Sequence, residues 1–382
     1  MVGSDGVPLS SFGGDGEVDL EELVDIDALG ALVGIGSTDL TISDLEFFDD
    51  GSVLASGFIE EAAGFLTPAT PVVFRLSPDG TLDTSFQQGI VAGTLIELPG
   101  NAGPENVFAE IDSSGGIILL GTNPTGASGL QNFVVSRLNP DGTIDTSFAN
   151  SGNQLILGSS FPDSGFGFPT GEVLGLDVSD SGDITFAFTS PGFIDGAPTD
   201  TVVVGRLLAD GSVDQGFGEN GFAVQSFDIV GPVLFQTTPD GGSVFVTTPL
   251  GSSIDSLLLL SPDGDVAAET LLPINSDILN DGVATSDIAG AVTTPLTFTT
   301  DIAVDQSGNI VLNVTRIPLG ISSGTTLRSV IQRVLPSGVL DTGFGLDGSA
   351  ILGDTTGAVD LIFDSEERLV VVGADRTRFE FV

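Results

Sequence analysis

The amino-acid sequence predicts an all-β chain of repeated four-stranded units, and three observations carry that expectation. The 382 residues include 53 Gly and 20 Pro, and short runs of Val, Ile, Leu and Phe alternate with Asp-Gly and Ser-Gly pairs, as in strands joined by tight turns. Two strand–turn–strand signatures recur along the chain, and the two chain ends read together complete one copy of the repeat. Helical patterning is confined to "VDLEELVDIDALG", residues 18–30, and is ambiguous even there.

The first signature is typified by "RLNPDGTIDTSF" around Asp141. Equivalent turn positions fall at Asp5, Asp79, Asp141, Asp210, Asp263 and Ser337, at spacings of 74, 62, 69, 53 and 74 residues. The second alternates with it: "LEFFDDGSVLASG", "AEIDSSGGIILLG", "LDVSDSGDITFAF", "FQTTPDGGSVFVT", "IAVDQSGNIVLNV" and "LIFDSEERLVVVG". Each copy reads as strand, polar turn, strand, so every unit holds two hairpins, the content of one propeller blade. The expected fold is therefore a six-bladed β-propeller of four-stranded blades, a single domain over residues 1–382.

Within the first signature, Pro-Asp-Gly suits a three-residue hairpin loop. Pro sets φ, Asp bonds the backbone, and Gly accepts a positive φ. That register sets Asn139 against Thr143, Leu138 against Ile144 and Arg137 against Asp145. By the same count Arg75 meets Asp83, Arg206 meets Asp214 and Arg333 meets Asp341, whereas the fifth copy has Leu259 against Ala267 and the first has Met1 against Leu9. Four copies keep both charges and two lose both, as a cross-strand ion pair requires, because a lone half-buried charge costs more than the loss of the pair. Arg137→Ala alone is thus expected to destabilise more than Arg137→Ala combined with Asp145→Ala.

Seven residues after the turn comes a Phe, at Phe12, Phe86, Phe148, Phe217 and Phe344, with Thr270 in the fifth copy. These rings are expected to pack between blades. Reading "FEFV" at the C-terminus into "MVGSDG" at the N-terminus reproduces the pattern of "FVVSRLNPDG". A closed ring explains this, with N- and C-terminal strands joined in one blade.

The run "RLNPDGTIDTSF" and its copies resemble the signature of the delta-60 repeat family of bacterial proteins, strongly around Asp79, Asp141, Asp210 and Ser337, weakly around Asp5 and Asp263. The resemblance implies a β-propeller of a kind found in large exported or surface proteins, with no common activity and no catalytic residues to carry over.

The formal charge is −44, from 53 acidic residues against 9 Arg. Such a surface disfavours nucleic acid and anionic membrane, and its self-repulsion asks for screening salt or bound cations, as in marine, hypersaline or calcium-rich surroundings. The chain has no apolar run of membrane-spanning length, and its opening "MVGSDGVPLS" has no basic start or apolar stretch, so for an exported protein the expected signal is at the C-terminal end of a longer chain, has been removed, or is of another kind. His, Cys, Lys, Tyr and Trp are absent, which removes Ser-His-Asp and Cys-His mechanisms, Lys nucleophiles and thiolate or imidazole metal sites. Oxygen ligands are abundant, so calcium is the one cofactor the composition favours, with Asp177, Asp180 and Asp183 in "LDVSDSGD" and Asp301 and Asp305 in "DIAVDQSGN" as candidate ligands. Ordinary turn chemistry accounts for the same residues. The leading functional expectation is a non-catalytic, extracellular or cell-surface module that binds a protein or polymer at a propeller face. The alternatives are a calcium-stabilised unit of a larger adhesin-like protein and a carboxylate-dependent glycan hydrolase or lyase.

Overall fold

The computed structural model describes residues 38–48, 50–61, 70–86, 94–95, 107–124, 131–156, 173–194, 197–227, 233–247, 255–272, 296–317, 328–351, 358–363, 369–373 and 379–381, together with Gly13, Val18, residues 20–25 and Asp27. Helix among these residues is confined to one turn, α1 (Leu20–Leu23), and to Asp27, both inside the stretch 18–30. Everything else regular is antiparallel sheet, arranged in two compact units, residues 1–225 and 226–382.

The first unit holds three four-stranded sheets. They are β1 (Thr38–Phe47), β2 (Val53–Glu61), β3 (Thr70–Leu76) and β4 (Thr94–Leu95); β5 (Val107–Ile111), β6 (Ile117–Pro124), β7 (Gln131–Leu138) and β8 (Asn153–Ile156); and β9 (Val173–Val178), β10 (Ile184–Ile194), β11 (Ala197–Leu207) and β12 (Phe222–Phe227), which reaches the unit boundary. The second unit holds β13 (Leu234–Thr237), β14 (Ser243–Thr247), β15 (Ser256–Leu260) and β16 (Val266–Leu271); β17 (Leu296–Val304), β18 (Ile310–Ile317), β19 (Arg328–Val334) and β20 (Ser349–Ile351); and a sheet of β21 (Ala358–Phe363), β22 (Leu369–Gly373) and β23 (Phe379–Phe381). Every sheet is a simple up-and-down meander, as two hairpins per repeat require.

Successive sheets within a unit pack face to face. The first strands lie side by side, β1 beside β5 and β5 beside β9, and likewise β13 beside β17 and β17 beside β21. The cores lie between sheets: Leu54, Val73 and Phe86 of the first meet Val107, Leu119 and Leu138 of the second. Phe133 and Phe148 of the second in turn meet Phe186 and Phe188 of the third. In the second unit Val244, Leu257 and Leu259 face Ile302, Leu312 and Val334. A middle strand therefore buries both faces, which is why "SVFVT" and "SLLLL" are continuously buried, whereas edge strand β16 alternates between exposed and half-buried.

The loops of the first signature close as three-residue hairpins. Asn139 N–H donates to Thr143 O at 2.8 Å, Leu138 bridges Ile144, and Asp145 N–H donates to Arg137 O at 2.9 Å. Gly142 has φ +82°, a conformation strained for any residue with a Cβ. The fifth copy differs. Leu259 pairs with Ala268, and a bulge absorbs Ala267, its expected partner. Without the Asp that turns the chain outward after the hairpin, this copy runs straight into β16. The expected pairing of the N-terminal strand, with the turn at Asp5 and the Met1–Leu9 pair, lies outside the described residues; the sheet β21–β23 has three strands among them.

Candidate functional site

The repeated Arg and Asp pair within each of four repeats, and in two of them the Arg also reaches the next sheet. Arg206 places Nε and Nη2 each 2.7 Å from Asp214 Oδ2, and Arg333 places the same atoms 2.8 and 2.7 Å from Asp341 Oδ2. The guanidinium carbons lie 4.5 Å from the Phe217 ring centre and 4.7 Å from that of Phe344. Arg75 and Arg137 stand farther from their hairpin carboxylates, 3.9 Å from Asp83 and 3.7 Å from Asp145. Each instead grips an Asp on the turn of the second signature: Asp50 at 2.8 Å and the buried Asp112 at 2.6 Å. Sequence reasoning missed these two partners because they lie in the other hairpin of the unit.

From there the arginines reach the following sheet. Arg75 Nη1 donates to Pro140 O at 3.4 Å, and Arg137 Nη1 to Ala209 O at 3.3 Å. The Phe completes the contact, since a Cβ on Gly142 would lie 2.8 Å from the Phe86 ring, and one on Gly211 2.8 Å from that of Phe148. The residue after the Phe adds a backbone bond, Ala149 N–H to Asp210 O at 2.8 Å. The Pro140-Asp141-Gly142 and Ala209-Asp210-Gly211 loops are thus received by the Arg and Phe of the preceding repeat. The loop glycine is required on two counts: its positive φ and the ring packed against it.

A second grouping lies on the first strands. Glu46 on β1, Glu110 on β5 and Asp177 on β9 each stand two residues before the first residue of the second-signature turn, so adjacent strands present three acids at one register. All three are half-buried. Asp44 lies just below them, its Oδ1 accepting from Leu45 N–H at 2.9 Å and its Oδ2 from Ala109 N–H at 3.0 Å, a link from β1 to β5. Burial, only partly offset by those amides, raises the Asp44 carboxyl above its ordinary range. Burial and the Asp44 charge push Glu46 up to about 7, and burial together with Glu46, Asp177 and Asp44 pushes Glu110 up to about 9. At neutral pH the row therefore keeps a proton on Glu110 beside acceptor oxygens, so it can both donate and accept hydrogen bonds. The sequence carried the signal in "LEFFDDG", "AEIDSSG" and "LDVSDSG", whose acids align only when the copies are superposed on their turns.

These groups also set a pH dependence. Their folded pKa values lie above the unfolded value near 4.3, so the native state holds more protons and stability declines as pH rises from about 4.3 through 7 toward 9.

The structure splits the expected cation groupings. Asp177 belongs to the row, whereas Asp180 sits exposed in the turn and Asp183 accepts from Ser181 Oγ at 2.9 Å within it. Asp301 bridges β17 to β21, its Oδ1 accepting from Ile302 N–H and its Oδ2 from Leu361 N–H, while Asp305 closes its own turn through Ser307 N–H and Asn309 N–H. Backbone amides already claim these oxygens. Among the described residues no three acidic side chains are placed to hold a metal ion.

A family model described as a domain of unknown function (DUF5122) beta-propeller matches residues 50–86 and 116–148, the segments that hold the Arg75 and Arg137 motifs. The match covers these two segments and supports a β-propeller repeat in them. No functionally curated protein matches the chain. Similar solved structures include the polysaccharide lyase Uly1, 12% identical over 89% of this chain and 80% of that one, with a TM-score of 0.49. A protein of unknown function from Dyadobacter fermentans DSM 18053 is 10% identical over 87% of this chain and 90% of that one, at 0.42. Prolyl oligopeptidase B from Galerina marginata is 12% identical over 92% of this chain and 43% of that one, at 0.44. Likeness at this level carries no argument about this chain's chemistry.

Proposed function

We propose that the chain is a non-catalytic β-propeller, exported or held at a cell surface, that serves as an interaction or scaffold module, and that Glu46, Glu110 and Asp177 receive a cationic group of its protein or polymer partner. The row itself carries this reading. Acids at one register of three neighbouring strands lower stability at neutral pH, and a bound cation would relieve their repulsion. The absence of His, Lys, Cys, Tyr and Trp removes most nucleophiles and bases. One observation favours the alternative of a carboxylate-dependent glycan hydrolase or lyase: Glu110, pushed up to about 9, stands near Glu46, pushed up to about 7, as a general acid stands beside a partner that ionises first.

The test compares wild type with the double variant Glu46→Gln, Glu110→Gln. Wild-type stability should fall between pH 5 and 9 by up to about 1.4 kcal/mol per pH unit for each titrating group, and the variant should lose most of that slope. Spermidine, as the cationic probe, should raise the wild-type melting temperature and leave the variant unmoved at equal ionic strength. An equal response of both proteins overturns the reading. A rise with calcium but not with matched sodium would instead support the calcium-stabilised adhesin-like unit, and glycan cleavage lost in the variant would support the enzyme.

The same proposal includes closure of the six repeats as one ring, supported by the repeat count and the matching patterns of the two chain ends. Deleting residues 379–382 should then cost several kcal/mol, roughly the loss of a buried strand. An unchanged melting temperature would argue for an open array.

A further inference from the structure

The fifth copy of the first signature lacks Arg, Asp and Phe, and a cleft of about 290 Å³ lies beside the positions of the missing Arg and Asp. Its lining includes Leu259 and Ala267, which replace the Arg and Asp of the other copies, and Pro336, the counterpart of Pro140 and Ala209 whose carbonyls receive Arg75 and Arg137. Asp240 also lines it and occupies the turn position of Asp50. The two carboxylates share a bonding pattern. Asp50 Oδ1 holds the Ser52 amide and hydroxyl while Oδ2 takes Arg75; Asp240 Oδ1 holds the Thr238 hydroxyl and the Gly242 amide. Thr270 is a thin substitute for the missing ring: the nearest atoms to where a Gly338 Cβ would be, from Ala268, Thr270 and Leu259, are 3.6–3.7 Å away, whereas the rings lie 2.8 Å from the equivalent points at Gly142 and Gly211. The receptor half of an arginine contact is thus present without its arginine, and residues 207–315 contain no basic side chain at all.

The geometry points to this cleft, between the sheets β13–β16 and β17–β20, as a binding site for an arginine side chain presented by a partner protein. The external guanidinium would take the place that Arg75 fills beside Asp50, with the carboxylate of Asp240 as its counter-ion and Leu259, Pro262 and Pro336 as apolar walls. A planar, weakly hydrated guanidinium suits such walls better than an ammonium, and the −44 charge draws basic partners toward the surface. This site is separate from the carboxylate row and stands without it.

The test titrates N-acetyl-arginine amide into the full chain and follows backbone amide resonances at Gly241, Gly308 and Gly338. Saturable shifts at these positions are expected, with N-acetyl-lysine amide binding several-fold more weakly. Asp240→Asn should weaken the arginine probe at least tenfold, and Leu259→Arg should abolish its binding by filling the cleft from within. Shifts that are scattered, do not saturate or persist in both variants would overturn the assignment, since they would report only attraction to an acidic surface. Should Leu259→Arg fail to fold, Asp240→Asn decides alone.

Discussion

Phe148→Ala should lower the stability of the chain by about 3–5 kcal/mol, the range for truncating a fully buried aromatic side chain. Phe148 is 1% exposed, belongs to the core between the second and third sheets, and fills the space that a Cβ on Gly211 would need. The loss therefore removes packing within its own sheet and the surface on which the next repeat's loop rests. Urea unfolding measures it. Gly211→Ala should also destabilise, because its φ of +82° and the ring 2.8 Å from a Cβ both oppose a side chain. In the Phe148→Ala background part of that penalty should vanish, since the space is then open. Strict additivity of the two changes would show that ring and glycine do not share one contact.

Arg137→Ala should cost about 3 kcal/mol, toward the lower end of the range for removing one member of a buried ion pair. The reason is Asp112, whose side chain is 5% exposed and loses its nearest cation, at 2.6 Å. Rescue should come from Asp112→Asn, which removes the stranded charge and keeps an oxygen for the turn amides of Ser114 and Gly116. Asp145→Ala should rescue little, for Asp145 lies 3.7 Å from Arg137 and is held by Ser147. The structure thus moves the expected rescue from the hairpin partner to the turn of the preceding hairpin. Acid should shrink the difference between wild type and Arg137→Ala. Burial pushes the Asp112 carboxyl up, yet the Ser114 hydroxyl, the amides and Arg137 together hold it below its ordinary value. Its contribution is therefore present above an unfolded pKa near 3.9 and lost as pH falls through the folded one. Thermal unfolding of both proteins down to pH 3 checks the sign.

Local chemistry was legible in the chain. Turn glycines, period-two strands and repeat spacing depend on neighbours a few residues apart, so the meander of two hairpins per unit, the three-residue loops and the Arg137–Asp145 backbone register could be counted from the letters. That Asp177 stands in register with Glu46 and Glu110 while Asp183 bonds Ser181 within its own turn was not legible from their nearness in sequence.

By itself, then, the sequence determined the all-β class, the repeated sheets and the hairpin registers, because backbone sterics and turn residues act within one repeat. Tertiary structure alone decided which charges meet. Stacking the sheets brought Glu46 beside Glu110, carried Arg137 to Asp112 and onward to Ala209, and left Asp240 facing a cleft where other repeats place an arginine. Those contacts span 25 to 72 residues of chain. They arise from the stacking of one sheet on the next, which no pattern inside a single hairpin encodes.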